Sequence, residues 1–531
     1  MNLESDLLGF WKLDGDCQDS SGQGNHGVRI EADPSKVFVL PPRERAFHIE
    51  VPPKPSLNLG TRDFTVSAWI KTPEVVNDTL GDIINQYDPD KRKGWNLYLQ
   101  NFQGTPSSYS NCRNLFFGID DGTEPVWTDC GRPGNNRMVW ALTVYKDNLY
   151  AGTFEIEKEG AGHVYRYGGN GEWIDCGSPH PCNAVTSLTV FEGDLYAATG
   201  HYRSSGSAIG DSPNEIPGGK VFRHLGDKNW VEIGNLPIPE AIFGLAVYRG
   251  QLYASSMYAP PGVYRYEGGS DWKFCGHSGG RVVALTAFRE SLYGTGYDVN
   301  FGGVYRYDGN TTWADCGTSL NTTQTYSFAV HEGNLHVGTW PGGTVFRYAG
   351  GQLWSGCGRL GEELEVMGLM MYNGKLYAGT LPLAHVYRYD GNLKWTSTGQ
   401  LDTTPDVKYR RVWSMAVHHG SLFCGTLPSG HVYSLEAGKC VSHDDELKAG
   451  WRHLVSIRDN GILKIILDGK HVAQSDRFSA NAFDLDNEQP LRIGFGPHDY
   501  FNGIIRNVRL YGRVLTGGEI GALSNTPIAE K

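Results

Sequence analysis

The chain has 531 residues, enough for two or three domains, with 70 Gly, 28 Tyr, 14 Trp and a formal net charge of −11. That charge argues against nucleic acid as a partner, which needs a basic face, and no apolar run approaches the roughly 20 residues of a membrane-spanning helix. Abundant Gly and Tyr predict an all-β protein with many tight turns.

The first residues, Met-Asn-Leu-Glu-Ser-Asp, lead to a strand by about Leu8, and no secretory leader is read there. Residues 1–123 do not repeat. Positions 9–14 predict a strand and 19–27 a Gly/Asn/Asp loop. Positions 46–51, 64–70, 95–99 and 115–119 alternate as half-buried strands do.

From about Glu124 to Leu435 the chain repeats itself. Each copy has a Trp (Trp127, Trp173, Trp230, Trp272, Trp313, Trp354, Trp395) with Gly usually four residues on, and the last three spacings are each 41 residues. That period, filled by four short strands per copy, is the signature of β-propeller blades. Seven first, second and third strands occur, but no Trp strand follows Leu435. The spare one stands at the front, so residues 126–130 are expected to complete blade seven and leave no open sheet edge. Beyond the repeat, 451–457, 463–467, 491–494 and 504–511 return to the style of the first 123 residues. Neither flank has enough strands to close a sandwich alone.

Cys130, Cys176, Cys275, Cys316 and Cys357 share one repeat position in different blades, too far apart to bond to one another. Buried thiols in a reducing compartment explain them, although Cys176 with Cys182, or Cys112 with Cys440, are close enough in the predicted fold to pair.

The motifs in the flanks are familiar. Gly9-Phe-Trp, the 19–27 loop, Phe64-Thr-Val-Ser-Ala-Trp, Trp451-Arg-His-Leu-Val and the 501–515 segment resemble, in order, the laminin-G/concanavalin-A-like jelly roll. The resemblance implies one β-sandwich from residues 1–123 and 441–531, with a seven-bladed propeller of residues 124–440 inserted into it. Such a pairing is common in secreted proteins. It also implies a structural calcium ion on Asp19, the Asn25 region and the strand carrying Asn507, although Arg506-Asn507 stands where the family has an Asp pair. Insertion requires neighbouring ends, so the sandwich is expected to hang beneath blade seven and leave the opposite funnel open. The propeller loosely resembles those of sialidases and of rhamnosyl-glucuronate-cleaving glycosidases and lyases.

Residues common to most blades belong to the fold; those that break the pattern are functional candidates. The small residues Ala141, Ser187, Gly244, Ala284, Ser327, Gly368 and Ser414 mark where the first strands converge on the axis. Entering those strands are Arg137, Asn183, Glu240, Arg281, Gln324, Glu365 and the pair Arg410-Arg411. Rim arginines in an acidic chain predict an anionic ligand, and the aromatics beside them suit a sugar ring. With the extended loop of 200–219, the predicted ligand-binding set is Arg137, Trp140, Arg203, Arg281, Arg410, Arg411 and Trp413. His163, His385 and His431 share a third-strand position, where capping that strand or facing the ligand explains them better than a metal. Three functions remain open: an enzyme cleaving an acidic, uronate-type glycan, a non-catalytic glycan-binding protein, or a protein-interaction scaffold. Elimination would use Tyr409, His201 and His385 as base and acid; hydrolysis would use Glu240, Glu365 or Asp298 as proton donor.

Overall fold

The computed structural model describes residues 2–33, 46–204, 207–298, 300, 302–317, 322–526 and 528, and it is all-β apart from two short helical segments. The repeat region forms seven four-stranded antiparallel units. Five are separate sheets, and two are joined by the single pair Phe154↔Ala184. In the last unit Val126–Asp129 pairs with Val432–Glu436, so a strand from before the first blade is the outer strand of blade seven.

The Trp that defines the repeat joins neighbouring blades. Each half-buried indole N–H donates to a backbone carbonyl at the end of the preceding blade's outer strand. Trp173 meets Cys130, Trp313 meets Cys275, and Trp127 closes the circle onto Thr398, all at 2.9–3.1 Å. The recurrent cysteines sit where those carbonyls are offered, and all ten cysteines are free thiols, so neither Cys176–Cys182 nor Cys112–Cys440 is bonded. Third-strand arginines pair along the blade's outer part, as in Arg306–Asp308 and Arg388–Asp390, both 2.7 Å.

The flanking segments interleave into a two-sheet sandwich. One sheet runs Leu7–Trp11, Ile504–Tyr511, Phe64–Thr72, Gly450–Asp459, Ile462–Leu467, Lys470–Gln474. The other runs Val28–Glu31, Phe47–Val51, Leu491–Ile493, Gly81–Asp88, Lys93–Phe102, Asn111–Asp121, Lys439–His443. Between them lies an apolar core that includes Trp11, Phe64, Trp95, Phe117 and Leu454.

Lys93–Phe102 and Asn111–Asp121 are buried on both faces, not half-buried as their alternation predicted. Trp95, Leu97 and Phe117 enter the sandwich core, whereas Tyr98, Phe102 and Phe116 pack with Met370, Tyr372 and Leu422 of the propeller. Burying each such aromatic contributes about 1.5–3 kcal/mol. The sandwich therefore lies under the whole ring, not under blade seven alone. Arg289 of blade four binds Asp78 and Asp499 of the sandwich at 2.6–3.2 Å, and Lys375 of blade six reaches the Pro89 carbonyl at 2.8 Å.

The connection between those two strands rises into the ring's axis. Residues 102–111 are all buried, and Asn101 just before them is half-buried. Gln103 exchanges two 2.8 Å hydrogen bonds with the Val247 backbone, and Asn111 exchanges two with Val417 at 2.7 and 3.0 Å. The Thr105 hydroxyl donates to Leu369. Backbone bonds join Val144 to Ser110, Tyr109 to Leu188, Leu245 to Ser107 and Phe328 to Gly104. Innermost strands of six blades are thus bonded to one loop. At the seventh, a Cβ on Gly104 (φ +90°) would stand 3.2 Å from the Leu285 carbonyl, so glycine allows the close approach. The loop plugs the ring from the sandwich side.

Candidate functional site

Opposite the plug, the innermost strands bring side chains together on the axis. In blades one, two, three, five, six and seven the register slips just before or at the small residue, producing a β-bulge. Bulges re-aim a side chain, and here they turn the preceding residue inward. Trp140, Phe243, Val283, Tyr326, Met367 and Trp413 meet in one buried cluster; Thr186 holds the equivalent position in blade two. Two residues earlier in each strand stand Met138, Ala184, Ala241, Arg281, Gln324, Glu365 and Arg411, a second tier nearer the mouth. Its composition is lopsided. Blades one to three supply Met and Ala, blades four to seven a polar arc.

The lower tier forms a closed aromatic circuit with Tyr297. Trp140–Trp413, Trp413–Tyr326, Tyr326–Tyr297, Tyr297–Phe243 and Phe243–Trp140 have ring centroids 5.4, 6.2, 5.4, 5.6 and 6.4 Å apart. The blade-two loop covers its apolar side: Tyr202 stands edge-on to Trp140 at 4.6 Å, and Ala208 and Ile209 pack against the cluster; residues 205 and 206 of that loop lie outside the described residues. Trp140 and Trp413 are 2% and 3% exposed. They are therefore packed within the ring, not the open stacking platforms expected, because the loop and their neighbours bury both faces.

Four buried polar atoms of this cluster make no hydrogen bond within the described residues: Trp140 Nε1, Trp413 Nε1, Arg411 Nε and Glu365 Oε1. Burying polar atoms without partners is costly, and four of them stand close together around the axis. Burial pushes the Glu365 carboxyl up to about 7, against the pull of the Arg411 charge and the Tyr326 hydroxyl. The Tyr326 hydroxyl donates to Gln324 Oε1. Arg411, Gln324 and Tyr297 are half-buried and line the way in.

The other predicted residues are placed differently. Side chains alternate along a strand, and Arg137, Asn183, Glu240 and Arg410 lie one residue before the inward tier. The segments entering the strands differ in length, so the strand starts are out of register with one another, whereas the small residues are in register. Arg137 is exposed, and Arg410 donates to the Thr404 carbonyl at 2.7 Å. Glu240 accepts from His201 Nδ1 at 3.0 Å and from Arg203 at 2.5–2.6 Å. Burial raises its carboxyl less than these partners lower it. Arg203 also lies over Tyr258, 4.7 Å from the ring centre. Arg281 does face the arc, stacked on Tyr297 at 4.6 Å, but it is forked onto Asp298 at 3.0–3.1 Å. Arg203, Tyr258, Arg281 and Asp298 border a separate cleft of about 410 Å³ beside the axis. Tyr409 is half-buried against the cluster, with Lys408 over its ring.

His385 leaves the site altogether. Its Nδ1 bonds Ser397 at 2.7 Å, as His163 bonds Asp175 at 2.8 Å and His431 bonds Asp129 at 3.0 Å. In each, a third-strand histidine clips the outer strand two residues past its Trp. The residues expected to hold calcium are engaged with the protein. The Asp19 oxygens already accept from Phe10, Ser21 and Asn25 N–H groups and the Ser21 hydroxyl, at 2.8–2.9 Å. The Asn25 side chain bridges Leu8 and Ser56, and the Asn507 N–H bonds Lys12.

Comparison with known proteins adds the fold context. No curated protein matches the chain by sequence. Among solved structures, a catalytically inactive virginiamycin B lyase from Staphylococcus aureus with quinupristin is similar over 59% of this chain and 99% of its own, at 11% identity and a TM-score of 0.44. The WD40 β-propeller domain of Doa1 is similar over 59% and 97%, at 10% identity and a TM-score of 0.41. These are likenesses of fold alone. Residues 428–521, the last part of blade seven and most of the carboxy-terminal share of the sandwich, match the model of the Concanavalin A-like lectin/glucanases superfamily.

Proposed function

We propose that this protein takes an acidic carbohydrate into the axial funnel, opposite the sandwich, with Arg411 as the anchor for the sugar's carboxylate. The observation that carries the reading is the set of four unpaired buried polar atoms inside an aromatic circuit. Indole N–H groups and a guanidinium are donors that suit hydroxyl and carboxylate oxygens. The concanavalin A-like segment supports a carbohydrate-related role for the chain, without specifying the sugar. Cleavage of the bound glycan, by elimination or hydrolysis, belongs to the same reading.

Titration calorimetry with oligogalacturonate, oligoalginate and chondroitin oligosaccharides tests it. Arg411→Ala is expected to weaken binding at least tenfold, about 1.4 kcal/mol, with an unchanged circular-dichroism spectrum. Arg137→Ala, off the axis, is expected to leave affinity within a factor of two or so. Binding to none of the three, or equal loss from both variants, would overturn the reading.

A further inference from the structure

We propose that the axial site cleaves its glycan by β-elimination rather than hydrolysis, with Glu365 as the base that takes the proton α to the sugar's carboxylate and Tyr326 as the acid that protonates the leaving oxygen. The proposal rests on the reading of the funnel as an acidic-carbohydrate site and specifies its chemistry.

The argument is a census of carboxylates. Hydrolysis of a glycosidic bond generally uses two of them flanking the bond, one as acid and one as base or nucleophile. In the two inward tiers, Glu365 is the one carboxylate among the described residues. The two rim acids expected as alternative proton donors are occupied. Glu240 is held by His201 and Arg203, and Asp298 accepts from the guanidinium and the backbone N–H of Arg281. A single carboxylate on the inward face cannot fill both roles.

Elimination needs a different set: a cation on the substrate's carboxylate, one base and one acid. The funnel holds these. Arg411 has an unpaired Nε, Glu365 has an unpaired Oε1 and is 3% exposed, and Tyr326 is buried beside it with a hydroxyl that rotation can re-aim from Gln324. With the substrate carboxylate neutralised by Arg411, the α-hydrogen becomes acidic. Glu365 Oε1 takes that proton, and the C–H electron pair forms the α–β double bond. The bond from the β-carbon to the glycosidic oxygen breaks, and Tyr326 gives its proton to that oxygen. The Glu365 acid then returns a proton to the phenolate. The net change moves one proton from carbon to oxygen, consumes no water and needs no oxidant. The substrate must be a uronosyl residue glycosylated on the carbon next to its α-carbon. Products are a free hydroxyl on one fragment and an unsaturated uronate on the other.

The full chain, incubated with polygalacturonate, alginate and chondroitin, is assayed in parallel for the ultraviolet absorbance of the conjugated uronate, for new reducing ends and, by calorimetry, for binding. The expected result is absorbance and reducing ends rising together with at least one polymer. Glu365→Gln is expected to lower that rate about 100-fold or more while affinity stays within a few-fold. Tyr326→Phe, which keeps the ring contacts, is the second variant and is expected to slow turnover similarly. Reducing ends without absorbance mean hydrolysis and overturn the elimination while the binding reading stands. Binding without either product does the same. No binding to any polymer overturns both. Full activity in either variant overturns the assignment of that residue.

Discussion

At the residue scale, Glu365 is a carboxyl placed where its charge is unwelcome. Its folded-state value of about 7 lies above the ordinary 4.5, so the folded protein holds a proton that the unfolded chain has lost between those values. Stability linked to this group is full below about pH 4.5 and is lost as pH rises towards 7, by roughly 3 kcal/mol in all. Glu365→Gln is expected to flatten that stretch of the curve, read as the difference in unfolding free energy between pH 5 and pH 8 for variant and parent. An identical slope in both would show that the carboxyl is not desolvated. Asp82 of the sandwich follows the same sign. Burial, with the nearby Asp499 charge, pushes it up to about 8, although two backbone N–H groups bond its Oδ2. Asp82→Asn should protect the fold on the alkaline side, and a greater loss of stability there would contradict the shift.

The element that made the repeat legible is the outer Trp strand, because one hydrogen bond per blade requires an indole at a fixed spacing. Trp313→Phe keeps most of the ring packing and removes the bond to the Cys275 carbonyl, so a cost of about 1 kcal/mol is expected from denaturant unfolding. Trp127→Ala, at the closure between blades six and seven, should cost ~2–4 kcal/mol; stability within error of the parent would show that the ring does not depend on that strand. The inner strands were less legible for a physical reason. The small residue at each convergence point was readable, but loops of different length precede it, and the bulge that aims Trp140 and its counterparts leaves no compositional mark. Arg411, Arg281 and Glu365 lie on the inward face of their strands, while Arg137 and Arg410 lie one residue out of it. His385 was misplaced because it recurs for a fold reason, the clip to the outer strand, in only three blades. Asp19 and Asn25, expected on a calcium ion, also hydrogen-bond the loop that carries them and its neighbours.

For the molecule as a whole, the two halves of the sandwich and the ring between them were readable from motif order and repeat count. The axial plug was not. Gly-Thr-Pro-Ser-Ser-Tyr-Ser at 104–110 has the composition of a solvent-facing turn, and only the convergence of inner-strand backbone groups on the axis gives those residues partners. Because that loop bonds six blades and the two strands it joins are buried on both faces, calorimetry of the intact chain is expected to show one cooperative transition. Two separated transitions would show that sandwich and ring unfold independently.

The plug also decides traffic. A toroid open at both ends could admit a polymer at one side and release it at the other, sliding along it between events. This one is a cup with a sealed base. Under the proposed function, a glycan that reaches Arg411 and Glu365 would arrive and depart through the same mouth, so a long chain would present only a terminus or a bent segment, and each encounter would end in withdrawal rather than passage.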